Sequence, residues 1–163
     1  MHAEAFAWVA QHATQAEVTV LDLGGRNVNG SIRDLFPNAT RYVAVDIREG
    51  EGVDVVADAS TWVPDAEYDV VVSTETFEHT AVWPEICLTA FKALKPGGSL
   101  ILTMAGPGRS EHSAIDGGPL QPGEYYGNVD PEHLKHTLIT AGFKDVMVDS
   151  RVSPADTRAI ASK

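Results

Sequence analysis

The sequence predicts one α/β domain built around a mostly parallel sheet. Three observations carry this reading. Short apolar runs rich in β-branched residues recur along the chain. Helical or loop segments alternate with them, which calls for right-handed crossovers between parallel strands. A glycine turn and well-placed acidic residues follow the first of these runs, where open α/β sheets bind their ligands.

The strand candidates are Val18–Leu23, Tyr42–Asp46, Val53–Ala57, Asp69–Ser73 and Ser99–Thr103. They are nearly continuous in apolar residues, as strands covered on both faces must be. Two weaker strands are expected near Val146–Asp149 and Thr157–Ala161. The first residues read as an amphipathic helix with Ala5, Phe6, Val9 and Ala13 on one side.

From Pro84 to Lys95, apolar residues fall at Ile86, Cys87, Ala90, Phe91 and Leu94, the spacing of one helical face. Pro84 suits a first turn, and Pro96-Gly97-Gly98 is a stop. A further helix opens at Asp130-Pro131, buries Leu134, Leu138 and Ala141, and ends at Gly142. The links after the second and third strands are short; Glu49-Gly-Glu-Gly52 leaves little room for a helix. The helices of the fold are therefore expected to be trimmed.

Bulk properties narrow the function. At 163 residues and 44% apolar, the chain suits one domain with a proper core. Twelve basic residues against 23 acidic ones give a net charge of −11. Such a surface repels phosphate backbones, which argues against a nucleic-acid partner. No run approaches the ~18 apolar residues of a membrane span, and the start lacks the pattern of a signal peptide. The only cysteine, Cys87, excludes an internal disulfide and suits a reducing cytoplasm.

The turn after the first strand reads Asp22-Leu-Gly24-Gly25-Arg26-Asn-Val-Asn-Gly30-Ser31. It is not a dinucleotide fingerprint, because Arg26 stands where the second glycine should admit a pyrophosphate. Nor is it a P-loop, since Ser31 and Ile32 follow Gly30 and no lysine is supplied. A glycine-rich turn not built for phosphate favours a nucleoside ligand. Asp46, closing the second strand, can accept hydrogen bonds from both ribose hydroxyls. Asp58, after the third strand, can meet the adenine amino group, or Asp58-Ala-Ser60 is an ordinary helix cap.

Taken in order, Asp22-x-Gly24-Gly25, Val45-Asp46-Ile47, Ala57-Asp58-Ala59, Tyr68–His79 and Leu94-Lys-Pro-Gly-Gly-Ser-Leu100 resemble class I S-adenosylmethionine-dependent methyltransferases. The resemblance runs from about Val18 to Met104. It implies a Rossmann-like sheet of seven strands, order 3-2-1-4-5-7-6, with the last strand antiparallel. It implies S-adenosyl-L-methionine as cofactor, with Gly24 and Gly25 beside the amino-acid part and Asp22 supporting the ammonium. Asp46 would hold the ribose, Ile47 would lie against adenine, and Asp58 and Ala59 would meet the adenine edge. Thr74 and Glu75 would lie beneath the cofactor near the substrate side. The usual turn is Gly-x-Gly-x-Gly; the longer form here is similar to that of a subset of bacterial members. Arg26 could pair with the cofactor carboxylate or serve as a surface or cap residue.

The methyl acceptor is expected to be a small molecule or glycan-type compound, with an oxygen nucleophile favoured. The alternative is a binding or scaffold protein that keeps the fold without turnover. His79, after the fourth strand, and His112 are the candidates for a general base. The segment 105–129 is long, rich in glycine and proline, and lacks a period, which marks a lid on the substrate side or, alternatively, a flexible or interface loop. Within it, Arg109, Tyr125 and Tyr126 are the candidates for holding a substrate. Glu75, Glu78 and His79 are oxygen and nitrogen donors, but three neighbouring polar residues do not make a site, and no metal is expected. His133 and His136, three apart on a helix, read as a solvated face.

Overall fold

The computed structural model describes residues 2–163. Seven strands form one sheet: β1 (Val18–Leu23), β2 (Ala39–Asp46), β3 (Val55–Val56), β4 (Tyr68–Thr74), β5 (Leu94–Ala105), β6 (Lys144–Val152) and β7 (Ala155–Ser162). Their order is β3-β2-β1-β4-β5-β7-β6, as the family resemblance implied. β1 pairs in parallel with β2 and β4, β2 with β3, and β4 with β5. β7 runs antiparallel between β5 and β6. The parallel strands all end at the same edge of the sheet, and the glycine turn opens there.

The side-chain period of two sorts the core. Leu21 and Leu23 of β1 join Val43, Val45, Val71, Leu100 and Leu102 on one face. The helices α2 (Trp83–Ala93) and α3 (Pro131–Ala141) cover this face through Ile86, Cys87, Ala90, Leu134 and Leu138. Val20, Val70, Val72 and Ile101 point the other way, under Val9 of α1 (Ala3–His12) and under Ile32 and Phe36. Because both faces of β1 and β4 are covered, apolar residues fall on consecutive positions within them, Val20-Leu21 and Val70-Val71-Val72, rather than strictly alternating.

The ends of α3 follow the sequence signals. The Asp130 carboxylate accepts a hydrogen bond from the His133 amide at 2.9 Å, Pro131 opens the helix, and Gly142 takes the left-handed conformation at φ 108. Elsewhere the boundaries move. The strand expected at Val53–Ala57 shrinks to Val55–Val56. α2 stops at Ala93, and the chain is already strand at Leu94. The Pro96-Gly97-Gly98 stop thus lies inside β5, because the last residue closes around it: the Gly97 amide donates to the Lys163 carbonyl, and the Lys163 amide to that of Gly98. Phe6 does not share the buried side of Ala5 and Val9 but stands 38% exposed.

Among the described residues, no α-helix lies between β1 and β4. A single 3-10 turn at Arg33–Leu35 and irregular chain replace the crossovers. No helix is long and apolar enough to cross a membrane. Residues 106–129 contain only turns and bends, as expected for that segment.

Candidate active site

The site starts with a bend that only glycine makes easily. β1 ends at Leu23, and Gly24 turns the chain at φ 83. The amides of Gly24 and Gly25 both donate to the Val45 carbonyl, at 2.8 and 3.2 Å. This ties the bend to β2 and brings Asp22 and Asp46 to the same edge. A Cβ on Gly25 would lie 2.8 Å from both the Asp22 carboxylate and Ala44, so the bend passes the strand too closely for any side chain there.

Asp46 is oriented by backbone alone. Its Oδ2 accepts from the Arg26 amide at 3.3 Å and its Oδ1 from the Arg48 amide at 2.9 Å. Asp22 is almost fully buried. Its Oδ2 accepts from the Tyr42 hydroxyl at 2.7 Å, while Oδ1 is buried with no partner among the described residues. Burial pushes the Asp22 carboxyl up to about 6, against the opposing pull of the Tyr42 hydrogen bond.

A cavity of about 420 Å³ opens over this bend, within the size range of small-molecule sites. All ten cofactor candidates line it: Asp22, Gly24, Gly25, Arg26, Asp46, Ile47, Asp58, Ala59, Thr74 and Glu75. Ile47 is 66% exposed, an apolar side chain free to be covered by a flat ring. Asp58 turns back on itself, its Oδ1 accepting from the Ser60 amide and hydroxyl at 2.9 and 2.7 Å. Its other oxygen remains for a ligand.

Arg26 and Glu75 reach across to distant segments of the chain. The Arg26 guanidinium donates to the carbonyls of Ala114 and Ile115, at 2.8 and 3.4 Å, and so tethers the 105–129 segment to the bend. Glu75 sits at φ 52, a left-handed conformation rare for a residue with a side chain. Its Oε2 lies 3.4 Å from His2 Nε2 and 3.5 Å from Arg109 Nη2. Burial raises the Glu75 carboxyl, but the His2 hydrogen bond and the charges of His2 and Arg109 outweigh it and hold the group below its ordinary value.

On the remaining wall the two histidines meet. His79 and His112 both line the cavity, with ring centroids 4.9 Å apart. Tyr126 packs edge-on to both, 5.6 Å from His79 and 5.0 Å from His112. Burial lowers His79 to about 4, so its ring is neutral at pH 7. Directly behind is Glu78, fully buried, with both carboxylate oxygens lacking a partner among the described residues. Burial first, then the nearby Glu75 charge, pushes its carboxyl up to about 8.

Of the substrate candidates, Tyr125 lines the cavity. Tyr126 does not; its hydroxyl donates to the Ser110 carbonyl at 3.1 Å. Arg109 also stands outside the lining. Its Nη1 bonds Asp156, a buried acid of β7, at 2.6 Å. The sequence reading missed Tyr42, His2, Asp156 and Glu124. Glu124 accepts from the amides of Ala114 and Gln121, at 3.0 and 2.8 Å, and closes the 105–129 segment on itself. An isolated acid in a loop carries no signal for such a role; an acid heading a late strand, as Asp156 does, could have been suspected.

The residues present fit an adenosyl cofactor with an amino-acid tail. The unpartnered Asp22 oxygen can receive an ammonium, the bend leaves no room for a Cβ beside it, and Asp46 presents a backbone-fixed carboxylate at the next strand end. One consequence is testable. Below about pH 6 the Asp22 carboxyl is protonated and offers an ammonium little; above it the carboxylate is available. Affinity for S-adenosylhomocysteine should rise from pH 5 to 7, by no more than tenfold per unit, and then level off. Calorimetry across this range checks it, and Asp22→Asn should flatten the curve; an equally steep curve in the variant rules out Asp22 as the source.

Residues 1–148 match the family model of a methyltransferase domain. The chain belongs to that family, and its sheet has the order of the class I methyltransferase fold. A Mycolicibacterium smegmatis protein named "Probable S-adenosylmethionine-dependent methyltransferase" is 32% identical over 104 residues, 64% of this chain and 37% of that protein. The chain therefore spans little more than a third of the length of that relative. Among solved structures, phosphoethanolamine N-methyltransferase 2 of Haemonchus contortus, in complex with S-adenosyl-L-methionine, superposes with a TM-score of 0.72 at 15% identity. That match covers 98% of this chain and 52% of the other. A SAM-dependent methyltransferase from Archaeoglobus fulgidus gives 0.71 at 18% identity, covering 98% and 93%. These two likenesses establish the shared fold.

Proposed function

We propose that this domain transfers the methyl group of S-adenosyl-L-methionine to a small-molecule acceptor. A glycan-type acceptor is the other form this reading takes, and an acceptor oxygen is favoured. One observation carries the reading. A single cavity, in a member of the methyltransferase domain family, is lined both by the Asp22–Gly25–Asp46 constellation and by the His79–His112 pair.

When bound, the cofactor supplies a sulfonium methyl that needs no further activation. The protein's part is to hold, align and dry the site. Asp22 holds the ammonium, Asp46 the ribose, and Ile47, Asp58 and Ala59 the adenine. Thr74 and Glu75 form the floor toward the acceptor. Residues 105–129 act as a lid, tethered by Arg26 and Glu124 and anchored at Arg109, with Tyr125 and Tyr126 on the acceptor side. A hydroxyl acceptor must lose a proton, and His79 and His112 are the groups placed to manage it. The net charge of −11 disfavours nucleic acid as acceptor. The lone Cys87, buried and free, supports a reducing, cytoplasmic setting.

Calorimetry with S-adenosylmethionine and S-adenosylhomocysteine should show binding, with NAD silent. Turnover on a panel of hydroxylated and amine acceptors should then find at least one substrate, and His79→Ala or His112→Ala should lower the maximal rate. Binding of NAD in place of the adenosyl compounds would refute the reading. Full rates in both histidine variants would remove the histidines from the chemistry.

A further inference from the structure

We infer that Glu78, His79 and His112 form a binding site for a divalent transition-metal ion on the acceptor wall of the cavity. This rests on the reading of that wall as the acceptor side. It gives the two histidines a specific role, holding a cation that manages the acceptor's proton instead of taking that proton directly.

The first observation is proximity. One carboxylate oxygen of Glu78 and one ring nitrogen from each histidine lie within 4.8 Å of one another. Donors around one small divalent ion sit at about 2.0–2.2 Å from it, so modest side-chain shifts close the set.

The second is that the carboxylate is only weakly held: the amides of Glu78 and Ala105 approach it loosely, short of good hydrogen-bond geometry. Glu78 is 0% exposed, and neither of its side-chain oxygens has a hydrogen-bond partner among the described residues. A buried polar group without a partner is expensive to keep. Glu75, three residues earlier, has its own ion network with His2 and Arg109 and stands apart from this set.

The third is the state of the imidazoles. His112 Nδ1 lies 3.1 Å from the Ser110 carbonyl oxygen. A carbonyl can only accept, so Nδ1 is the donor there, and in the neutral tautomer that makes this bond Nε2 is the nitrogen with a lone pair to offer. Metal-bound histidines are commonly oriented by this same bond to a carbonyl. His79 Nδ1 is buried without a partner among the described residues.

One oxygen and two nitrogen donors suit a borderline ion of the zinc, cobalt or manganese type. Three protein donors leave coordination positions open. His79 and His112 line the cavity, so those positions face it. A cation there polarises an acceptor hydroxyl and favours loss of its proton near neutral pH.

The test uses the full chain, stripped with a chelator, desalted and titrated with cobalt(II) chloride by calorimetry and visible absorption. One equivalent should bind with d–d bands of nitrogen and oxygen coordination. Glu78→Gln, which keeps the side-chain shape, and His112→Ala, which alters only the loop donor, should each weaken binding at least tenfold. His133→Ala, on the surface of α3, should leave it unchanged. No stoichiometric binding overturns the site. So does wild-type affinity in both the Glu78 and His112 variants, or a loss confined to His133→Ala. S-adenosylhomocysteine binding to the wild-type chain is measured alongside. Cobalt bound without it upholds the cation site and sinks the methyltransferase reading; the reverse result upholds the enzyme and sinks the cation site.

Discussion

Asp46→Ala should weaken S-adenosylhomocysteine binding by at least tenfold, and by up to a hundredfold. The carboxylate closes β2 beside the glycine bend, and its two oxygens are pre-aimed by the Arg26 and Arg48 amides. No side chain must be ordered when the ligand arrives, so the full worth of the new hydrogen bonds reaches the affinity. A hydrogen bond to a charged acceptor contributes about 1.5–3 kcal/mol, and the ribose offers two hydroxyls. Losing even one corresponds to about tenfold. Alanine also frees the two amides, so the denaturation midpoint must be measured beside the calorimetry. Asp46→Asn grades the effects: it keeps the shape and the acceptor for one of the two amides, loses the other, and should fall between wild type and alanine in both affinity and midpoint. An Asp46→Ala protein that binds as tightly as wild type would remove the ribose assignment.

The prominence of Asp46 in the sequence has a physical basis. It ends a β-branched run, and an acid there is solvent-adjacent yet fixed by the strand. The sheet was legible for a related reason: strands buried on both faces, such as β1 and β4, leave nearly continuous apolar runs. The cap and stop of α3 were legible because Asp130, Pro131 and Gly142 act within one turn of their own position. What failed to show was long-range. Pro96-Gly97-Gly98 reads as a helix stop, and its pairing with Lys163 cannot be seen from either segment. Tyr42 reads as one more strand residue, yet it holds Asp22.

The clearest case is the cluster of donors after β4. In sequence, Glu75, Glu78 and His79 look like one local group. In the fold, Glu75 takes a positive φ and joins His2 and Arg109, while Glu78 goes inward behind His79. The third member of the set is His112, from a loop whose composition announces only irregularity. The period and caps of a chain specify its elements; they do not specify which loop tip returns to which strand end.

Gly24→Ala should lower the unfolding free energy by about 2–5 kcal/mol, two independent terms acting at one atom. The residue sits at φ 83, where a side chain on an L-residue costs roughly 1–2 kcal/mol. The added Cβ would also collide with the Thr76 side chain, 2.5 Å from its Cγ2 and 2.8 Å from its Cβ. Overpacking of that kind costs typically about 1–3 kcal/mol. Thr76 cannot easily move aside, since its hydroxyl donates to the Thr74 carbonyl at 3.1 Å and the next residue, Phe77, is 1% exposed. The sum is a large fraction of the ~5–15 kcal/mol that holds a domain of this size together. Chemical denaturation of a double-mutant cycle separates the terms. Against the single Thr76→Gly variant, adding Gly24→Ala should cost only the backbone share, because glycine at 76 leaves nothing to strike. If Gly24→Ala costs the same in both backgrounds, the collision contributes nothing and the glycine is required by its backbone angle alone. If it costs nothing in either, the bend is not the fixed turn on which the placement of Asp22 and Asp46 depends.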